Sequence, residues 1–173
     1  MSEDIQKTGL TVSITRLSAD RWEDYRKIRL EGLETEQIAF SSSAEDEAKA
    51  PESLWKERIV NHIFAQKGSE VVGVIGLIFR VREKQKHIAD IFGLFVKKEF
   101  RGTGIGDLLL KEAIKGASSR EGIMKIELGV IEDQIPAVAL YEKNGFKRVG
   151  RFSCELLVNG KCHDEILMEK LLQ

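Results

Sequence analysis

Apolar positions along this chain follow two periods, and the switches between them predict the elements. Residues 10–16 alternate apolar and polar, as a half-buried strand does. After Ser18, a residue suited to capping, Trp22, Tyr25, Ile28 and Leu33 keep helical spacing and predict a first helix. Pro51, favoured in a first turn, opens a second helix through Trp55, Ile59 and Ile63. Between the two helices, residues 40–50 are serine-rich and acidic and read as a loop, with the Glu45-Asp46-Glu47 run solvated. Residues 64–66 and 70–81 then predict a hairpin around Lys67-Gly68-Ser69. Residues 87–96 predict a strand, 104–115 a helix, 123–130 a strand and 134–143 a helix that stops where Gly145 can turn left-handed. The tail, residues 146–158 and 161–171, is a last hairpin about Asn159-Gly160. The order βααβββαβαββ is that of an α/β layer architecture with a mixed sheet.

Length and charge narrow the class. The chain has 173 residues and 42% hydrophobic content, which suits one domain over residues 1–173 with a real core. Its 27 basic and 28 acidic residues leave a net charge of -1, without the footprint of a nucleic-acid binder. Met1-Ser2-Glu3-Asp4 is acidic, and the longest apolar run, residues 71–79, is too short for a bilayer; the expectation is a soluble, cytoplasmic protein. In the register that Asn159-Gly160 sets, Cys162 faces Leu157 and Cys154 faces Glu165. The two sulfurs are then offset and on opposite faces, so both cysteines are expected to be free thiols. No His or second Cys stands at metal-ligand spacing, so no metal is expected.

The chemistry lies in Arg101-Gly102-Thr103-Gly104-Ile105-Gly106, placed between the predicted strand and Asp107-Leu108-Leu109-Leu110. Glycines at a helix N-terminus let a ligand approach main-chain N–H groups at the positive end of the helix dipole, which suits a phosphate. The spacing fits neither the dinucleotide fingerprint nor a P-loop. Read as Arg-x-x-Gly-x-Gly, it resembles the acetyl-CoA pyrophosphate loop of the GNAT N-acetyltransferase superfamily. Further on, Ala137-Val138-Ala139-Leu140-Tyr141-Glu142-Lys143-Asn144-Gly145-Phe146 is similar to that superfamily's Ala-x-x-Leu-Tyr-x-x-x-Gly-Phe. The resemblance implies a GNAT fold, a mixed and mostly antiparallel central sheet flanked by helices. It also implies an acetyl-CoA-dependent acyltransferase.

The resemblance also assigns residues. Main-chain groups of Arg101, Gly102, Thr103, Gly104, Ile105 and Gly106 would hold the pyrophosphate, with the Asp107 side chain turned to solvent. Leu94, Phe95 and Val96 would pair with the pantetheine arm, the N–H of Leu94 or Phe95 polarising the thioester carbonyl; the other reading is an ordinary buried strand. Tyr141 would protonate the departing thiolate, against the alternative of a core aromatic bonded to backbone. Gln134 stands where the family has Asn in contact with the cofactor. Asp90, on the strand before the loop and expected to share a face with Phe92 and Leu94, is the candidate base that deprotonates an ammonium; the alternative is a solvated carboxylate. Glu155 and Asp164, directly opposed in the predicted hairpin, suggest a cationic substrate site, or else an exposed face with both carboxylates solvated. The implied activity is acetyl transfer to a primary amine of a small molecule, such as a polyamine or amino acid. Alternatives are a protein N-terminal or lysine acetyltransferase and a non-catalytic acyl-CoA-binding sensor. The implied partner is the small amine, with no nucleic acid and no membrane, and a homodimer is left open.

Overall fold

A computed structural model describes residues 5–7 and 10–172. Among these, eight strands form one sheet: β1 (Ile5–Lys7), β2 (Leu10–Thr15), β3 (His62–Lys67), β4 (Glu70–Phe79), β5 (Ile88–Val96), β6 (Lys125–Ile131), β7 (Lys147–Val158) and β8 (Lys161–Leu171). Their order across the sheet is β1-β2-β3-β4-β5-β6-β8-β7. Every neighbouring pair is antiparallel except β5 with β6. That parallel pair needs a crossover, which α4 (Ile105–Ser118) supplies. The remaining helices are α1 (Trp22–Thr35), α2 (Ala44–Ala48), α3 (Glu52–Ile59) and α5 (Ile135–Lys143). None of the described helices is long and apolar enough to cross a membrane.

Two apolar layers hold the sheet. On one face Leu109, Leu110, Ala113 and Ala117, a helical stripe of α4, bury against Val72, Ile75, Leu77 and Ile126, with Val138 and Tyr141 of α5 extending the layer. Truncating Leu109 or Leu110 to Ala there costs about 2–5 kcal/mol. On the other face Tyr25 and Ile28 of α1 and Trp55 and Ile59 of α3 pack on Phe64, Val74 and Phe95.

Three local expectations change. Ile63 belongs to β3 and not to a helix, because the chain turns at Val60 and Asn61 and puts Ile63 in the core beneath α4. The acidic run after Ser43 is the short helix α2, capped by the Ser43 hydroxyl accepting from the Asp46 N–H at 3.1 Å. The segment Ile5–Lys7 adds an edge strand ahead of the expected order.

The feature that opens the site lies between β5 and β6. They pair only from Ile88↔Lys125 to Asp90↔Glu127. Beyond that, β6 follows β8 while β5 stays with β4, where Gly93, at φ +63°, and Leu94 together face Ile75 in a bulge.

His62 is a buried group on which stability depends. Its Nδ1 lies 2.9 Å from the Arg58 carbonyl, which can only accept, so Nδ1 carries the proton and Nε2 accepts from the Tyr25 hydroxyl at 3.1 Å. Burial depresses its pKa from 6.5 to about 4. The unfolded chain therefore takes up a proton as pH falls through 6.5 while the folded chain does not, so stability is complete above 6.5 and declines toward 4. Denaturant titrations should show a loss of about 2 kcal/mol between neutrality and pH ~5. This slope should vanish in His62→Phe; a wild-type curve that is flat there would contradict the assignment.

Candidate active site

Where β5 and β6 part, a cleft of ≈ 330 Å³ passes between them. Gly93 and Leu94 line it from β5, Gly129 and Val130 from β6, and Gln134 and Tyr141 from α5 and its N-cap. From the far side come Arg29 of α1, Phe40 and Ser41 of the α1–α2 connection, Glu155 of β7 and Glu165 of β8. Past Asp90 the edge of β5 that faces β6 has no strand partner, so the main chain through Leu94, Phe95 and Val96 is unpaired by any strand on that side, with the Val96 carbonyl taken by Arg101. Phe95 buries its ring against α1, and Leu94 and Val96 turn to the opposite layer.

The predicted loop follows β5 directly. Gly102 and Gly104 have φ of +75° and +92°, and a Cβ at either would meet no protein atom within 4 Å. The main chain there is exposed to an approaching ligand. Gly104 is the N-cap of α4 and supplies no side-chain cap, so the first-turn N–H groups, Ile105 and Gly106 among them, point outward at the positive helix end. This donor set fits a pyrophosphate. Thr103 closes the loop by donating to the Phe100 carbonyl at 2.6 Å. Arg101 folds back: its Nε donates to the Val96 carbonyl at 2.9 Å and its guanidinium pairs with Glu36 at 2.8 Å.

Asp107 departs from expectation. Its side chain turns toward α5, accepting from Asn144 at 2.9 Å and from Lys111 at 2.7 Å, because the start of α4 packs on the end of α5. Burial acts to raise this carboxyl, but the hydrogen bonds from Asn144 and Lys111 outweigh it and hold the group below its ordinary range.

Tyr141 is 6% exposed, its ring edge-on to Phe146 at 5.8 Å between centroids. The hydroxyl has no hydrogen-bond partner among the described residues. Since no buried side-chain N or O atom there is left unpaired, this hydroxyl reaches the cleft. Burial pushes the phenol well above its usual range. Asp90 does not join this group. Arg80 grips both its oxygens, at 2.8 and 2.6 Å, and also holds Glu127 on β6. Asp90 thus sits at the closed end of the cleft, and the Gly93 bulge sends Leu94 to the opposite face. The face that Asp90 was expected to share with Leu94 is corrected, and both of its oxygens are engaged by Arg80.

The family model described as acetyltransferase (GNAT) matches residues 15–146. The chain belongs to the GNAT acetyltransferases. Among curated relatives, L-amino acid N-acetyltransferase AaaT of Escherichia coli (strain K12) is 28% identical over 123 residues, 68% of this chain and 75% of the relative. A GNAT acetyltransferase from Streptococcus pneumoniae superposes with a TM-score of 0.79 at 24% identity, covering 93% of this chain and 99% of the other. The phosphinothricin acetyltransferase of Sinorhizobium meliloti, solved with acetyl-CoA, gives 0.76 at 19% identity over 93% and 88%.

In this GNAT chain the terminal hairpin contributes to the far side of the cleft. Asn159 and Gly160 both have positive φ, 49° and 78°, and Leu157 faces Cys162 as expected. The register then shifts: Leu156 faces His163 but Phe152 faces Glu165, so Ser153, Cys154 and Glu155 stand against Asp164 alone. Cys154 takes φ 54° and its N–H donates to Asp164 Oδ1 at 2.7 Å, which swings its side chain to Cys162. The two form a disulfide with Cα atoms 4.7 Å apart, correcting the expectation of free thiols. The same bulge separates the Glu155–Asp164 pair. Asp164 accepts from Cys154 and pairs with Arg151, away from the cleft, and only Glu155 lines it.

Two residues lining the cleft were not predicted. Arg29 sits 4.7 Å over the Phe40 ring and holds Glu47 of α2 at 2.8 Å, fixing the connection above the cleft. Glu165 lies in the cleft itself.

A cross-link closing so short a loop contributes about 2.5 kcal/mol in the chain-entropy account. Dithiothreitol, or Cys162→Ser, should lower the denaturation midpoint accordingly. Alkylation of both thiols in the untreated native protein would show that the bridge does not form.

Proposed function

We infer that this GNAT acetyltransferase moves the acetyl group of acetyl-CoA to a primary amine of a small molecule. When bound, acetyl-CoA supplies an acetyl group activated as a thioester. The observation that carries the reading is the composition of one small cleft. On one side it has Leu94, at the start of the β5 edge that no strand pairs, and the unpaired Tyr141 hydroxyl, and on the other the carboxylates of Glu155 and Glu165. Main-chain N–H groups of residues 101–106 hold the pyrophosphate, and Gln134 contacts the cofactor from the start of α5. The N–H of Leu94 or Phe95 stabilises the carbonyl oxygen as it becomes anionic. Tyr141, protonated throughout the neutral range, gives its proton to the leaving sulfur.

A small acceptor is supported by the volume of ≈ 330 Å³ and by the way residues 40–41 and 155–156 close the cleft on its far side. The relative named as an L-amino acid N-acetyltransferase supports the same class. A second reading, a protein acceptor, is favoured by an open outer groove of ≈ 660 Å³ between residues 41–45 and 155–159. Thiol release measured with amines, amino acids and N-terminal peptides separates the two, and turnover with peptides alone would overturn the small-molecule reading.

Two variants test the assignments. Gly104→Val forces a β-branched side chain onto a positive φ and into the ligand's path, and calorimetry should show acetyl-CoA binding weakened at least about tenfold, the equivalent of 1.4 kcal/mol. Binding as tight as wild type would remove the loop from the site. Tyr141→Phe should lower kcat at least about tenfold with little change in the KM for acetyl-CoA. Turnover near the wild-type rate would mean that water protonates the sulfur.

A further inference from the structure

Glu165 has no counterpart among the motifs that identify the family. It lies on β8 opposite Ile131, diagonal to Gly129 on the same face of the sheet. A Cβ added at Gly129 would overlap the Glu165 carboxylate, so the carboxylate occupies the space that a side chain on β6 would fill. Glu155, carried on the bulge of β7, lines the same cleft. Among the described residues neither carboxylate has a cationic or hydrogen-bonding partner. The other charged or titratable groups lining the cleft are Arg29 from α1, already engaged by Glu47, and Tyr141 from α5.

Two unpaired carboxylates facing one cleft repel each other, and the half-buried Glu165 is in part desolvated; a bound cation relieves both costs. The hydroxyl of Tyr141, on a side chain 6% exposed and without a partner, opens into the same space and marks it as a place where a ligand reacts. We propose that Glu165, seated over Gly129, receives the ammonium of the acceptor and is the base that takes its proton, with Glu155 as the second anion of the subsite. This rests on the reading of the cleft as an amine acetylation site.

One proton passes from the ammonium nitrogen to a Glu165 oxygen, freeing the nitrogen lone pair. The C–N bond then forms as the C–S bond breaks, the sulfur takes the Tyr141 proton, and the second nitrogen proton returns to Tyr141 through water. Glu165 releases its own proton to solvent before the next turnover. Burial first, and the negative charge of Glu155 second, hold the Glu165 carboxyl above its ordinary range, which suits a base working near neutrality.

The test uses the whole protein with saturating acetyl-CoA and the fastest-reacting amine from a panel of alkyl diamines and amino acids. Glu165→Gln should lower kcat/KM about 100-fold and abolish the acidic limb of its pH profile, while calorimetric acetyl-CoA binding stays at the wild-type value. Glu155→Gln should keep the limb and move it to lower pH, because the neighbouring negative charge is gone. Gly129→Ala, which displaces the carboxylate without removing it, should also lower kcat/KM. Independently of turnover, the 13C carboxyl resonance of Glu165 should titrate above the ordinary range and shift downward in Glu155→Gln. Glu165→Gln with an unchanged rate and limb, or a Glu165 resonance indifferent to Glu155→Gln, overturns the proposal and leaves amine acetylation standing. Tight acetyl-CoA binding with no thiol release from wild type and any amine overturns both.

Discussion

The site exists because one parallel ladder is cut short. β5 and β6 share only the pairs from Ile88↔Lys125 to Asp90↔Glu127, and at that vertex Arg80, just past the end of β4, reaches across to Asp90 on β5 and Glu127 on β6. Lys125 continues the chain of charges to Glu127 at 2.6 Å and Glu169 at 3.1 Å. Four strands are thus tied at the closed end while the Gly93 bulge turns β5 away at the open end. A sheet interior would otherwise satisfy its own main chain. Here the satisfied ladder stops, and polar backbone is left facing a cleft where a ligand can complete it.

The loop after β5 and the helix carrying Tyr141 reach this cleft from one side of the sheet, and their relative position is set by Asp107 and Asn144. The acid looked like a liability for phosphate in the sequence. In the fold it is held by Asn144 and Lys111, and it couples the start of α4 to the end of α5. The hairpin and the α1–α2 connection close the cleft from the other side, the latter through Arg29, Phe40 and Glu47.

What could be read from the sequence was whatever local chemistry dictates. Gly102 and Gly104 need backbone freedom, α4 shows its apolar stripe, and Asn159-Gly160 names its own turn. What could not be read depends on register across strands. A strict alternation puts Asp90 beside Leu94 and sets Cys154 apart from Cys162, and each inference failed at a bulge, Gly93 in one case and residues 153–155 in the other. Glu165 escaped notice for the same reason: its role follows from the bare backbone of Gly129 on a strand distant in sequence.

The irregular β7 has a consequence for how the molecule meets its neighbours in solution. It is the outermost strand on its side of the sheet, and its free edge is a row of backbone groups that could template another strand. Two register shifts and a disulfide break the regular spacing that such docking requires, and Lys147, Arg148, Arg151 and Glu155 place charged side chains along it. The contortion that brings Glu155 to the cleft therefore also blunts the sheet against growth by edge-to-edge aggregation.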